Sequence, residues 1–280
     1  MPAPGMYSGI TTDDAMNLAM SAKAVPLYNA VKEFIANEVE PVTEKYFALG
    51  EGRPDRWQYG EGQLELLDEL KRKARAKGLW NFFLPNAETG EGLSNLDYAY
   101  IAVELGKNPI ASEAMNCSAP DTGNMEVLER VGTPEQKEKW LKPLLAGEIR
   151  SAYAMTEPDV ASSDAKNLEC RAELDGDEWL INGEKYYISG AGDPRCKIMI
   201  CMLLTSPDAP PHKRHSQILV PMDTPGVQIL GPMEVFGEDD APHGHMHIRF
   251  NNVRVPKENI LQGEGKGFEI SQVRLGPGRI

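Results

Sequence analysis

A chain of 280 residues with 41% hydrophobic and 25% charged side chains has an ordinary globular composition, with length for one large domain or two smaller ones. Its net charge of −13, from 42 acids against 29 bases, argues against nucleic acid or an anionic membrane surface as the main partner. The four cysteines, Cys117, Cys170, Cys196 and Cys201, lack CxxC spacing and disulfide-framework density, and are expected as reduced thiols of an intracellular protein. At the N-terminus, residues 1–10 show no basic segment followed by an apolar one, and no later apolar run is long enough to span a bilayer. The expected location is the cytoplasm, or the mitochondrial matrix if the source is eukaryotic.

From Ser21 to Glu40, Val25, Leu27, Tyr28, Val31, Phe34, Ile35 and Val39 recur at helical steps, and Pro41 is expected to end that helix. Residues 50–62, rich in Gly, Pro and charge, read as a loop. A second helix carries Leu64, Leu67, Leu70 and Ala74, with Gly78 as its stop and the basic run Lys71–Lys77 as a solvated face. Ser94, with Asp97 three residues on, opens a third helix running to Leu105. A break at 108–122 precedes a helix near 121–131. Thr133-Pro134-Glu135-Gln136 then starts another, which Gly147 closes. The first half is therefore all-α.

Past Ile149 the period changes from about 3.6 to 2. Strands are expected at 168–174, 179–181, 197–204, 216–220, 227–230 and 245–250, with turns at Asp175-Gly176-Asp177 and at the hairpin-type pair Asn182-Gly183. Many short strands with frequent turns predict a small barrel or sandwich. Helical spacing returns at Phe268, Ile270 and Val273 after the glycine-rich run 263–267, read as a flexible linker. His243, His245 and His247 alternate and would share a strand face, but no carboxylate or cysteine is placed with them by the sequence, so no metal site is expected. The glycine run lacks the spacing of a P-loop.

The junction of the two halves reads Tyr153-Ala154-Met155-Thr156-Glu157-Pro158-Asp159-Val160-Ala161-Ser162-Ser163-Asp164. A short β-type run, stopped by proline, leads into a loop of small polar residues where a backbone can approach an anionic ligand closely. The order of residues resembles the flavin-binding signature of acyl-CoA dehydrogenases. Asn182 to Gly190, Val220-Pro221, Phe250 to Pro256 and Gly263 to Phe268 resemble further blocks of that family, in the family's order and over nearly the whole chain.

The resemblance implies an α+β fold: an α-helical N-terminal domain over 1–150, a β-barrel middle domain over 151–262, and the start of a C-terminal helical bundle over 263–280. It implies FAD as cofactor, with Tyr153, Met155, Thr156, Ala161, Ser162 and Ser163 along one side and Tyr187, Ile188 and Ser189 along the other. Tyr187 and Ser189 stand where the family has tryptophan and threonine. Ser163, or Ser162 beside it, matches a serine that touches the substrate's pantetheine or the flavin phosphates, and Arg279 matches an arginine near bound substrate. The implied reaction is α,β-dehydrogenation of an acyl-CoA in fatty-acid β-oxidation, with an electron-transfer flavoprotein as acceptor and a homodimer or homotetramer as the assembly. The family's base is a glutamate far down the C-terminal domain or, in a minority, the residue before the matching arginine, here Gly278. No catalytic base is therefore expected within the chain, which by itself should be inactive. An acyl-CoA oxidase, a flavin monooxygenase or a non-catalytic flavin-binding homologue are the alternatives on the same fold. The TEPDVASSDA loop looks closest to a subgroup whose animal members carry a kinase-like domain.

Overall fold

The computed structural model describes residues 18–275, so Gly278 and Arg279 lie outside the described residues. Helix α1 (Val25–Phe34) does not stop at Pro41. It passes through a π-helical turn, Ile35–Val39, into α2 (Glu40–Gly50). Proline offers no N–H to the carbonyl four residues back, and its ring would strike that carbonyl. The π turn lets the Glu40 N–H reach back five residues to Ile35, and the wider turn accommodates the ring two positions later. The same device recurs before Pro143, where the π turn Lys137–Leu141 feeds α8 (Lys142–Leu145).

Between these lie α3 (Gln63–Ala76), α4 (Asn95–Leu105), α5 (Ala111–Ala114), α6 (Asp121–Val131) and α7 (Pro134–Gln136). Their ends follow the expected chemistry. Gly78 takes φ +71° after α3. Ser94 accepts the Asp97 N–H at 3.1 Å, and Thr133 with Gln136 forms a reciprocal capping box. Phe34, Leu67, Leu70, Phe82, Ile101 and Leu128 close the helical core.

A curled seven-stranded sheet follows among the described residues: β1 (Arg150–Ala154), β2 (Arg171–Asp175), β3 (Glu178–Ser189), β4 (Cys196–Leu204), β5 (His215–Pro221), β6 (Val227–Pro232) and β7 (His245–Pro256). The order is β1-β4-β2-β3-β7-β6, with β5 on the other side of β4. The turn between β2 and β3 falls at Gly176-Asp177, as expected. Asn182-Gly183, by contrast, is not a turn. It lies inside β3, opposite a bulge at Asn251-Asn252, and the glycine is required because a Cβ there would sit 2.7 Å from the Cys170 sulfur. On β7, Met246, Ile248 and Phe250 point into the core and His245, His247 and Arg249 point away.

The glycine run after β7 is not a free linker. The Gly265 N–H donates to Ser216 Oγ at 2.9 Å, and Cβ atoms at Gly265 and Gly267 would meet the Lys213 and His215 carbonyls at 2.8 Å. Helix α9 (Gly267–Leu275) is thereby set against β5.

Helices and sheet are clasped by a buried charge cluster. Glu113 of α5 binds Arg150 Nη1 (2.6 Å), Arg195 Nη1 (2.5 Å) and Lys71 (3.3 Å). Asp121 pairs with Arg150 and accepts the Ser151 N–H and hydroxyl at 2.7 and 2.6 Å; Asp193 pairs with Arg195 and accepts the Tyr59 hydroxyl, each at 2.7 Å. Lys71 is the exception in a basic run read as solvated: it is 5% exposed, and burial depresses its pKa.

Candidate functional site

Thr156, just past β1, joins the chain's two signature blocks. Its carbonyl accepts the Tyr186 N–H at 3.0 Å, and its hydroxyl donates to the Tyr186 carbonyl at 2.6 Å. Beneath this seam lies a buried ion pair. Lys185, fully buried, donates to Glu157 Oε1 (2.7 Å) and to the carbonyls of Met155 (2.9 Å) and Met202 (2.6 Å), which uses all three ammonium hydrogens. Glu157 also accepts the N–H groups of Glu169 (2.7 Å) and Cys170 (3.0 Å). Both partners sit in the signature blocks, but their pairing across 28 residues was not legible from either block alone.

Above the pair, β3 carries a second irregularity. Lys185 is opposite Ile248 and Ile188 opposite Met246, so Tyr186 and Tyr187 together face one residue of β7. This bulge reverses the strand's parity. Strict alternation would place Tyr187 inward with Lys185 and turn Ile188 out; instead Ile188 is 1% exposed in the sheet core and Tyr187 is 44% exposed. Tyr187 holds φ +55°, a strained conformation for an aromatic residue, and its ring lies edge-on to Tyr186 at 5.0 Å. Two residues on, Ser189 Oγ lies 2.8 Å from His245 Nδ1, and His245 Nε2 lies 3.1 Å from Asp240 Oδ2.

The two candidate loop serines divide. Ser162 is buried, and its hydroxyl bridges the Glu157 N–H (3.2 Å) and carbonyl (3.4 Å), so it holds the loop's shape. Ser163 and Ala161 are exposed. Ala161 borders a cleft of about 470 Å³ whose lining carries Lys166, which pairs with Asp164 at 3.3 Å, together with Arg214 and Glu169. Met155 and Phe268 pack against the cluster of Ala165, Leu168 and Met202.

Tyr153 turns the other way, toward the helices. Its hydroxyl meets Ser271 Oγ (3.0 Å) and Gln217 Nε2 (2.9 Å), and the Arg274 guanidinium stacks 4.0 Å from its ring centre. Arg274 also walls a cavity of about 360 Å³ between α4 and α6, with Tyr98, Ala102, Thr122 and Glu126. Glu126 is buried, and its Oε2 has no hydrogen-bond partner among the described residues; Arg130 is 3.7 Å away. Burial pushes the Glu126 pKa up and the Arg274 pKa down. A raised carboxyl pKa favours the fold when protonated, and that contribution is lost as pH rises through the folded value. Glu126→Gln should therefore raise the thermal midpoint by a few degrees at about pH 8, with the gain shrinking at about pH 5. A gain that is equal at both pH values would show that the Glu126 charge is not the cause.

The alternating histidines do not converge. His245 serves Ser189 and Asp240, His247 Nε2 meets Glu184 Oε2 at 2.6 Å, and His243, with its pKa lowered by burial, packs on Gly190. Among the described residues no group of three metal-type ligands occurs, and no helix is long and apolar enough to cross a membrane.

Two family models match the chain: the acyl-CoA dehydrogenase N-terminal domain over residues 25–148 and the middle domain over 152–253. Mouse acyl-CoA dehydrogenase family member 10 is 51% identical over 259 residues, covering 91% of this chain and 24% of that protein. Mouse family member 11 is 49% identical over 267 residues, covering 94% of this chain and 33% of the relative. A solved Mycobacterium abscessus chain named as an acyl-CoA dehydrogenase superposes with a TM-score of 0.87 at 50% identity, over 93% of this chain and 65% of that one. Butyryl-CoA dehydrogenase from Megasphaera elsdenii gives 0.70 at 25% identity, over 94% and 64%. The chain thus spans about a quarter to a third of the two mouse relatives. With matches over both halves and a shared fold, it belongs to the acyl-CoA dehydrogenase family.

Proposed function

We propose that this chain supplies the flavin-holding part of an FAD-dependent acyl-CoA dehydrogenase, working within a longer polypeptide or assembly that provides the base. The observation that carries the reading is the Thr156–Tyr186 seam, which brings the two signature blocks side by side and leaves an exposed, strained aromatic, Tyr187, beside them. The residues present fit a flavin. An exposed aromatic face, a serine hydroxyl at Ser189 and a small-residue loop beside Lys166 and Arg214 match a ring with polar edges and an anionic tail.

In this reading Met155, Thr156, Tyr187 and Ser189 flank the ring, with Ile188 contributing backbone only. Ala161 and Ser163 border the anionic part, and Ser163 and Arg279 reach substrate. Bound FAD would supply the hydride acceptor for dehydrogenation between the α and β carbons of an acyl-CoA. The chain's own part is to position, to exclude water and to donate hydrogen bonds where negative charge grows. Tyr153 belongs to the acyl side in this reading, since Arg274, stacked on its ring, walls the 360 Å³ cavity, and we assign the acyl chain to that space. An electron-transfer flavoprotein as acceptor and a homo-oligomer as assembly belong to the same reading.

Adding FAD to this chain and recording its visible spectrum tests the reading, followed by anaerobic addition of an acyl-CoA. Flavin that binds and stays oxidised is the expected result. Flavin that bleaches would place a working base within these residues, and protein that takes up no flavin at its natural length would sink the proposal.

A further inference from the structure

The hydrogen-bonded chain Ser189–His245–Asp240 is used by nothing described so far except the serine at its end. Three elements build it: Ser189 closes β3, His245 opens β7, and Asp240 lies on the loop before β7. The bulge at Tyr186-Tyr187 decides that Ser189 faces the exposed side with Tyr187, and the Ser189–His245 pairing in the ladder sets the hydroxyl against the imidazole. The His245 side chain is 28% exposed and Asp240 61%, so the chain runs from the candidate flavin face to solvent.

We propose that His245, oriented by Asp240, is a positioning residue that decides whether the Ser189 hydroxyl hydrogen points to the imidazole or to the flavin. This inference rests on the flavin reading of the same site. An Asp240 carboxylate can only accept, so it draws the neutral imidazole's proton to Nε2 and leaves Nδ1 as an acceptor. The Ser189 hydroxyl then donates to Nδ1 and offers the flavin only a lone pair. When the imidazole carries both protons, Nδ1–H donates to Ser189 Oγ instead, and the hydroxyl hydrogen is released toward the flavin. One proton arriving at His245 from solvent thus reverses one hydrogen bond at the ring, with no bond made or broken in the serine. Glu234 and Glu238 lie on the same segment as Asp240, Glu234 next to Met233, whose N–H donates to the His245 carbonyl at 2.7 Å. Asp239 pairs with Arg56 at 2.7 Å, and His247 and Arg249 both hold Glu184, at 2.6 and 2.7 Å. From β6, Gly231 and Pro232 bring no charge to this end of β7.

The arrangement gives the histidine an effect that exists only through the serine, which a double-mutant cycle can isolate. In FAD-loaded protein at its natural length, His245→Gln should change the rate of flavin reduction about fivefold to tenfold, the worth of one hydrogen bond. It should also move the flavin's reduction potential and visible band. In a Ser189→Ala background the same substitution should move none of them further. Asp240→Ala, a substitution in an exposed loop, should shift the potential in the same direction by less. In flavin-free protein it should also abolish the Nε2-protonated preference that the imidazole ¹⁵N shifts of His245 are expected to show. Equal shifts from His245→Gln with and without Ser189, or no shift in either, overturn the inference while leaving the flavin reading intact. Wild-type protein that retains no FAD overturns both.

Discussion

Lys185→Met should lower the unfolding free energy by about 3–5 kcal/mol, because it strands a buried carboxylate. Glu157 is 4% exposed, and with the ammonium gone its charge is left to two backbone amides. The carbonyls of Met155 and Met202 lose their donor in the same step. The damage is expected to be local as well as global, since those groups anchor the strand exit, the Thr156 seam and β4. Urea unfolding followed by circular dichroism reads the stability, and FAD affinity reads the site. Glu157→Gln with Lys185→Met should recover part of the loss, because it removes the stranded charge and the amide oxygen can still accept from one of the two N–H groups. A single-variant cost below about 1 kcal/mol would mean that water or rearrangement compensates the carboxylate, and the pair would then not be what fixes the loop.

Glu113→Gln should be of similar size, about 3–5 kcal/mol, for a different reason. The wild-type cluster is balanced, with Lys71, Arg150 and Arg195 facing Glu113, Asp121 and Asp193. The substitution leaves three buried cations against two carboxylates and weakens the contact between helices and sheet. Burial acts to raise the Glu113 pKa, but Arg150, Arg195 and Lys71 outweigh it and hold the carboxyl well below its usual range. Asp193 is likewise lowered: burial works against it, and Arg195 and Arg150 prevail. A depressed carboxyl pKa contributes stability that is present above the unfolded value and lost as pH falls toward the folded one. Wild-type stability should therefore fall steeply below about pH 4, and the Glu113→Gln curve should be shallower there as well as lower at neutral pH. Parallel curves for the two proteins would remove Glu113 from the acid response.

Most helix ends were legible because their signals are local. Ser94, Gly78, and Thr133 with Gln136 each satisfy backbone groups within one turn, so the residue type carries the geometry with it. Pro41 and Asn182-Gly183 misled for a shared reason. A proline forbids one hydrogen bond and a glycine permits one φ range, but either demand can be met in more than one way. A π turn absorbed the first, and the second served close packing on Cys170 within a strand.

The sequence by itself determined the change from helical to strand periodicity near residue 150, the sidedness of β7 and, through the order of its signature blocks, the family. The tertiary structure alone decided which residues of those blocks face outward and which are taken up by the core. Period-2 reasoning breaks at a bulge, and the one at Tyr186-Tyr187 sends Tyr187 and Ser189 outward and Ile188 into the core. Of the two serines, only the fold shows that Ser162 is taken by Glu157 while Ser163 stays exposed. Lys71 lies in a run read as a solvated face, and nothing local in the sequence marks Glu113 or Lys185 as buried charges. Their roles come from partners 28 to 42 residues away or more, where burial raises the strength of every charge contact and makes an unpaired one costly.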